Sequence, residues 1–416
     1  MRRMKGVGFA ILLAAVLLIE FYAFNAFRFA IRNMKMPYKT ISLVVYIMMT
    51  VGWFAILLSF DYFRTHTDVN KTLRNFVFVY FMAMLLSKLL IAAFLLIDDI
   101  RRFIFYISGL FFAKENVPQM VKNGMTRSEF ITKFALLFGG TVFGTMLYGM
   151  SNRYNYHLRN IKLAFDRLPS SFKGLKIVQI SDIHSGSFNN IAAVEKGVEM
   201  IMAQKPDVIL FTGDLVNNKS EEMHDYVEVF SKLKAPLGVY SVFGNHDYGD
   251  YAEWDSHEDK QQNLEDLKGI HATMGWRLLL DEHVALEKGG ESIGLIGVEN
   301  ISAKGFHTYG NLKNAYEGAE KYPVKILMSH DPSHWDKETT EQFKDIDLTL
   351  SGHTHGMQFG IEIPWIKWSP IQYAYKRWAG IYQKDNQYLY VNRGYGFLGY
   401  PGRIGILPEI TVIELV

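Results

Sequence analysis

Five short polar clusters stand out in the second half of the chain: Ser181-Asp182-Ile183-His184, Gly213-Asp214, Gly244-Asn245-His246-Asp247, His330-Asp331 and Gly352-His353-Thr354-His355. Asp-x-His and His-x-His place two side chains on one side of an extended segment, because strand side chains alternate. Aspartate, asparagine and histidine offer carboxylate, amide oxygen and imidazole nitrogen, a mixture that suits Mn, Fe or Zn better than Ca or Mg. Seven candidate metal ligands result: Asp182, His184, Asp214, Asn245, His330, His353 and His355. They are too many for one ion and about right for two. Gly213, Gly244 and Gly352 precede ligands, where a sharp turn is expected. The chain has no cysteine, which excludes thiolate metal sites, iron–sulfur clusters, disulfides and thiol catalysis.

Each cluster follows a short apolar run. Leu175–Ser181, Val208–Thr212, Val239–Phe243, Lys325–Ser329 and Leu348–Ser351 read as buried strands. Ala192–Gln204 and Asp225–Leu233 read as intervening helices, closed off by Pro206 and Pro236. This alternation predicts an α/β domain with layered sheets flanked by helices. Functional groups gather beyond the carboxyl ends of the strands in such sheets, so the five clusters are expected to converge. His224, His271, His283, His307 and His334 have no such context and read as structural or surface residues.

The ordered set of motifs resembles the calcineurin-like metallophosphoesterase family, from about residue 158 to the C-terminus. Asn392-Arg393-Gly394 and Pro401-Gly402-Arg403, before Pro408-Glu409-Ile410, further resemble the membrane-associated, exported bacterial branch of that family. Met357 stands where the branch motif has its second glycine. The resemblance implies that Asp182, His184 and His355 hold one divalent ion and Asn245, His330 and His353 the other, with Asp214 bridging. It implies that His246 protonates the leaving group or steadies the transition state, oriented by Asp247. Arg393 and Arg403 are candidates either for substrate phosphate or for structural salt bridges.

The first third has a different character. Val7–Phe27, Ile41–Phe60, Phe76–Ile97 and Phe130–Met150 are each near the ~20 apolar residues that cross a bilayer as a helix. Phe103–Ala113 is shorter, and reads as interfacial or as a fifth span if it extends to about Val121. Glu20 and Lys88 lie inside the first and third runs at similar depth and are expected to pair. Lys and Arg are equally shared between the two sides of a four-span bundle, so the positive-inside rule does not orient it. The stretch from Thr126 to Lys133 resembles a degenerate twin-arginine export signal, with Ser128 in place of the second arginine. That resemblance puts the following domain on the non-cytoplasmic face of the cell (inner) membrane.

The expected organisation is therefore a multi-pass transmembrane helical domain over 1–153 and an α/β metallophosphoesterase domain over 154–416. Of 416 residues, 49% are hydrophobic, which excludes a disordered chain; 44 Lys+Arg against 42 Asp+Glu, with no basic stripe, argues against a nucleic-acid partner. The leading expectation is a phosphomonoester, phosphodiester or pyrophosphate hydrolase acting on a lipid-linked or envelope-related substrate. Met357–Trp378, aromatic and interleaved with Lys367, Lys376 and Arg377, reads first as ordinary hairpin packing and second as a rim admitting a lipid phosphate. The alternatives are a generalist ectophosphatase on soluble esters, and a sensor or scaffold whose metal site is vestigial.

Overall fold

The computed structural model describes residues 6–65, 69–111 and 127–416. The chain divides into two compact units, Met1–Tyr148 and Gly149–Val416.

In the first unit, four helices follow the apolar runs: α1 (Gly6–Ala30), α2 (Met36–Thr65), α3 (Lys71–Phe111) and α4 (Arg127–Gly149). Among the described residues, all four are long and apolar enough to span a membrane. Most of their large apolar side chains face outward, as a lipid-solvated bundle requires. Small residues mediate the close approaches: Ala23, Ala26 and Ala135 are buried against Ile91. Glu20 and Lys88 pair as expected. Tyr46 Oη donates to Glu20 at 2.8 Å, Lys88 Nζ donates to Thr50 Oγ1 at 2.9 Å, and the ammonium lies 4.7 Å from the Trp53 ring centre. Phe103–Phe111 is neither separate nor a fifth helix; it continues α3, which runs for 41 residues. The extension of that segment beyond Phe111, and Thr126 of the export-signal resemblance, lie outside the described residues. Arg127–Lys133 forms the first turns of α4.

In the second unit, two six-stranded sheets carry the clusters. The first contains β1 (His157–Leu163), β2 (Lys176–Ile180), β3 (Val208–Phe211), β4 (Val239–Ser241), β5 (Arg277–Leu278) and β14 (Glu409–Leu415), in the order β1-β14-β2-β3-β4-β5. The second contains β6 (Glu282–Lys288), β7 (Glu291–Gly297), β8 (Lys325–Met328), β9 (Leu348–Ser351), β12 (Gly380–Lys384) and β13 (Gln387–Val391), in the order β12-β13-β9-β8-β7-β6. A separate hairpin pairs β10 (Ile361–Ile363) with β11 (Ile366–Trp368).

β2, β3, β4 and β5 run parallel, as do β7, β8, β9 and β13. Ile177, Val208, Leu210, Val242 and Ile413 from one sheet pack against Leu286, Leu295, Ile326, Leu348 and Tyr390 from the other, forming the inter-sheet core. The outer face of the first sheet is covered by α5 (Ile191–Ala203), α6 (Val227–Phe230) and α7 (His257–Met274). That of the second carries α8 (Leu312–Tyr316). Strands buried on both faces read as unbroken apolar runs, which is why β2, β3, β4, β8 and β9 are visible in the sequence. The helix expected over Asp225–Leu233 shrinks to the single turn of α6. The long α7 has no strong apolar stripe; it buries Asn263, Leu267, His271 and Met274, two of them polar.

Candidate metal centre

Every predicted ligand lies just past the carboxyl end of a parallel strand. Asp182 and His184 follow β2, Asp214 follows β3 and Asn245 follows β4, all from the first sheet. His330 follows β8, and His353 and His355 follow β9, from the second. Because the sheets are stacked face to face, these ends share one edge of the sandwich. Two groups form there: Asp182, His184 and His355, and Asp214, His330 and His353. Asp214 Oδ2 lies between them, 3.5 Å from His184 Nε2 and 3.1 Å from His330 Nε2. His355 Nε2 is 3.2 Å from Asp182 Oδ1, and Asn245 Oδ1 is 2.7 Å from His353 Nδ1. All seven predicted ligands thus come together at one place.

Backbone conformation is part of the geometry. Asp182, His184, Asp214, His353 and His355 all have positive φ, between 49° and 72°. Left-handed backbone is unfavourable for non-glycine residues, at a cost of order 1–3 kcal/mol each, and persists where the surroundings over-determine it. Hydrogen bonds between the turns supply that constraint. Asp182 N–H donates to Gly213 O at 2.9 Å, His184 N–H to Asp214 O at 3.1 Å, and Gly352 N–H to His330 O at 2.9 Å. Of the three glycines, only Gly213 needs its φ of 95°. Gly244 and Gly352 are required for close approach instead. A Cβ on Gly244 would sit 2.7 Å from the Asp214 backbone nitrogen, and one on Gly352 would sit 2.2 Å from Asp182 Oδ2.

Partners outside the ligand set fix each ring. His330 Nδ1 donates to Thr212 O at 2.7 Å, which turns Nε2 toward Asp214. His353 Nε2 lies 2.8 Å from Tyr375 Oη, which in turn lies 3.5 Å from buried Asp331 Oδ2. Asn245 Nδ2 donates to Tyr251 Oη at 2.9 Å, so its oxygen points into the cluster. His246 Nδ1 donates to Asn217 O at 2.7 Å, leaving Nε2 open, and the ring stands 5.0 Å from that of His184.

One expected role is corrected here. Asp247 does not orient the His246 imidazole; Asn217 does. The Asp247 carboxylate is fully buried and accepts the backbone N–H groups of Gly244 at 2.8 Å, Asp214 at 2.9 Å and Leu215 at 2.8 Å. It therefore ties the β3 and β4 turns together. Sequence gave no hint of Asn217, Tyr251 or Thr212, since a carbonyl or a loop tyrosine has no signature; Asp331 was visible beside His330.

Arg393 and Arg403 are structural. Arg393 is buried against Glu409 and Glu362, with a 3.0 Å bond from Nε to Glu362. Arg403 is buried and donates to the carbonyls of Arg393 at 2.7 Å and Gly394 at 3.2 Å. Met357 takes φ 56° in place of the glycine of the motif. The expected packing of Met357–Trp378 holds at its end, where Tyr375 and Trp378 are buried with Ile406, but not in the hairpin: Trp365 is 79% exposed, with Phe359, Ile361, Ile363 and Ile366 exposed alongside.

The electrostatics follow from burial and proximity. Burial alone would lower the His330 pKa, but Asp214 reverses this and raises it to about 10. Burial lowers His184 to about 3. Asp214 is held well below the usual carboxylate range despite its burial, chiefly by His330. The donor set fits divalent transition metals. His184 Nε2 and His355 Nε2 face each other at 3.0 Å, and His330 Nε2 and His353 Nδ1 at 3.3 Å, all buried or nearly so. Facing imidazole nitrogens beside two carboxylates are a donor set that a pair of divalent cations would satisfy.

Residues 175–357 match the family model described as calcineurin-like phosphoesterase. The chain carries a calcineurin-like phosphoesterase domain. Residues 3–153 match a second model, described as probable calcineurin-like phosphoesterase, transmembrane domain. Curated proteins similar to this chain include "Transmembrane protein with metallophosphoesterase domain" of Danio rerio, 30% identical over 62% of this chain and 56% of that protein. The chain thus spans about half the length of that relative. "Uncharacterized metallophosphoesterase YkuE" of Bacillus subtilis is 29% identical over 70% of this chain and 98% of its own length. "UDP-2,3-diacylglucosamine pyrophosphatase LpxG" of Chlamydia muridarum is 27% identical over 55% of this chain and 81% of that protein.

Proposed function

We propose that the protein is a membrane-anchored, dinuclear metal-dependent hydrolase of phosphoesters, acting on a lipid-linked or envelope-related phosphate or pyrophosphate. The observation that carries the chemistry is the position of Asp214 Oδ2 within 3.5 Å of both histidine groups, so that it would help to hold both ions. Asp182, His184 and His355 would hold one ion, and Asn245, His330 and His353 the other. Such a pair polarises a phosphoryl group and lowers the pKa of water.

The protein's own groups do the rest. Asn217 O holds His246 by Nδ1, so Nε2 is the atom that would give a proton to a leaving oxygen. Tyr375 and Thr212 fix the two histidines of the second group, and Tyr251 fixes Asn245, so the ligands need little reorganisation. Asp247 keeps the β3 and β4 turns in register beneath them.

The lipid-linked substrate is supported by three features: the transmembrane helices, the relative named for a diacylglucosamine-nucleotide pyrophosphatase, and the exposed apolar hairpin. The hairpin continues from the ligand loop ending at His355, so acyl chains of a substrate would meet it. Tethering raises the effective concentration of such a substrate. We place the catalytic domain on the non-cytoplasmic face of the inner membrane on the export-signal resemblance.

The test is a substrate panel on the detergent-solubilised protein with Mn, Zn or Fe, containing lipid pyrophosphates and soluble chromogenic esters. Preference for the lipid compounds, weakened by replacing Trp365 and Ile363 with serine, is expected. Equal turnover of soluble esters, unaffected by that change, would favour the generalist ectophosphatase. Stoichiometric metal with no hydrolysis of any compound would favour the scaffold.

A further inference from the structure

The hairpin of β10 and β11 has its polarity reversed. Its register pairs Ile361 with Trp368, Glu362 with Lys367 and Ile363 with Ile366, so Glu362 and Lys367 share one face and the four apolar residues the other. The charged face is the one bonded to the domain. Glu362 accepts from Arg159 Nη2 at 3.0 Å and from Arg393 Nε at 3.0 Å. Lys367 Nζ donates to Ala379 O and lies 4.9 Å from the Trp378 ring centre. The apolar face is left outside: Ile361, Ile363 and Ile366 are exposed, with Trp365 at the tip and Phe359 at the root against Trp368. A hairpin in water takes the opposite arrangement, apolar side in and polar side out. A contiguous exposed apolar patch of this kind marks a contact with protein or with membrane.

The root of the hairpin indicates which. α4 lies in a candidate membrane span from Arg127 to Asn152, and the chain turns polar there at Ser151-Asn152-Arg153. The end of that span is bonded to the loop beside the hairpin. Arg403 N–H donates to Gly149 O at 2.9 Å, and Asn152 Nδ2 donates to Arg403 O at 3.4 Å. The next residue, Ile404, pairs with Phe359 as an isolated parallel bridge. Its N–H donates to Gln358 O at 2.8 Å, and its carbonyl accepts Gly360 N–H at 2.8 Å. Two hydrogen-bonded steps thus join the last residue of α4 to the segment from which β10 departs. Strands of three residues reach ~10 Å from that root. Amphipathic segments sit ~5–10 Å deep, at the boundary of headgroups and acyl chains. Tryptophan at the tip suits that depth, because its ring is apolar and its N–H is polar.

We propose that the apolar face of this hairpin is seated in the bilayer surface itself, as a second attachment of the α/β domain beside the end of α4. The occupant is membrane lipid rather than a bound substrate. The seat is present without substrate and requires neither metal nor turnover, so its failure would leave the hydrolase reading standing. It also steadies the ligand loop, since His355 lies four residues before Phe359 and its carbonyl accepts from Arg403 Nη1 at 3.4 Å.

The chain has no cysteine, so one introduced cysteine carries one spin label. Full-length Ile363→Cys and Trp365→Cys are labelled and reconstituted without substrate in vesicles of phosphatidylcholine and phosphatidylglycerol. Leu137→Cys, exposed on α4, is the lipid reference, and Glu287→Cys, exposed on β6, is the water reference. Power saturation reads collision with oxygen, which concentrates among acyl chains, and with a water-soluble nickel chelate. The two hairpin labels are expected to favour oxygen, as the Leu137→Cys label does. Preference for the chelate, as at Glu287→Cys, would overturn the proposal. Shielding from both reagents would also overturn it: with spin–spin broadening the occupant is a second copy of the chain, and without broadening the hairpin is folded against its own domain.

A second variant separates the seat from the fold of the hairpin. Ile361→Ser/Ile366→Ser, made in the Trp365→Cys protein, removes apolar surface while leaving the backbone pairing and the Glu362 ion pairs in place. The label should shift toward the chelate. A label that keeps its oxygen preference despite the two serines would show that the apolar face does not hold the hairpin in lipid, and would overturn the proposal independently.

Discussion

Asp214 and His246 sit side by side yet carry separable duties. The Asp214 carboxylate faces both histidine groups, so Asp214→Asn should lower bound metal below two ions per chain. Its kcat should fall by more than about a hundredfold, the upper end for residues that only support ligands. His246→Gln leaves the ligand set intact; metal content should stay at the wild-type level while kcat falls about 10²–10⁴-fold, the range for loss of a general acid. Elemental analysis beside steady-state kinetics separates the two, and loss of metal from His246→Gln would refute the division. The His330 proton gives a pH signature. Its pKa in the metal-free fold is raised to about 10, against ~6.5 in an unfolded chain. The His330–Asp214 pair therefore stabilises the metal-free fold fully below about pH 6.5 and progressively less as pH rises toward 10. Metal must displace that proton, so affinity falls on acidification and loading at neutral pH releases a proton. Calorimetry in buffers of different ionisation enthalpy measures the release; a buffer-independent heat would contradict it.

The turns, rather than the strands, decide the quality of the site. Gly352 packs its bare Cα against Ser181 and Asp182, so Gly352→Ala pushes β9's loop off β2's loop. Reduced metal occupancy and a destabilisation of about 1–3 kcal/mol are expected, the usual range for overpacking; unchanged occupancy would mean the loops yield freely. Met357 offers the opposite case. It holds φ 56° with its side chain exposed, so Met357→Gly should stabilise the protein by about 1 kcal/mol, seen as a raised Tm. The same contrast explains what the sequence disclosed. The five strands and the convergence of seven candidate ligands were legible because buried parallel strands are apolar runs and metal-binding side chains must be of particular types. Left-handed backbone at Asp182 or His355 was not, because function places a side chain where conformation alone would select glycine. Asp247 was misassigned because adjacency to His246 says nothing about direction: its carboxylate turns back to amides of β3's turn. The α7 helix escaped notice because its buried positions include Asn263 and His271.

At the scale of the molecule, the helical unit carries its own internal charge pair. Removing one partner of a buried pair is strongly destabilising, at about 3–5 kcal/mol in soluble proteins, because the other is left uncompensated. Glu20→Gln and Lys88→Met should each lower the Tm of the detergent-solubilised protein, and the exchange Glu20→Lys/Lys88→Glu should recover much of it. Failure of the exchange would mean that Tyr46, Thr50 and Trp53, rather than charge, set the preference. The length of α3 has a consequence of its own. At 41 residues it extends ~60 Å, about twice the hydrocarbon slab of a bilayer. Its Asp98–Arg102 stretch, with Asp98 bonded to Arg101 at 2.7 Å, is a polar collar on an otherwise greasy rod. Such a rod should act as a stilt: in lipids of different thickness a change of tilt would keep the collar at the headgroups.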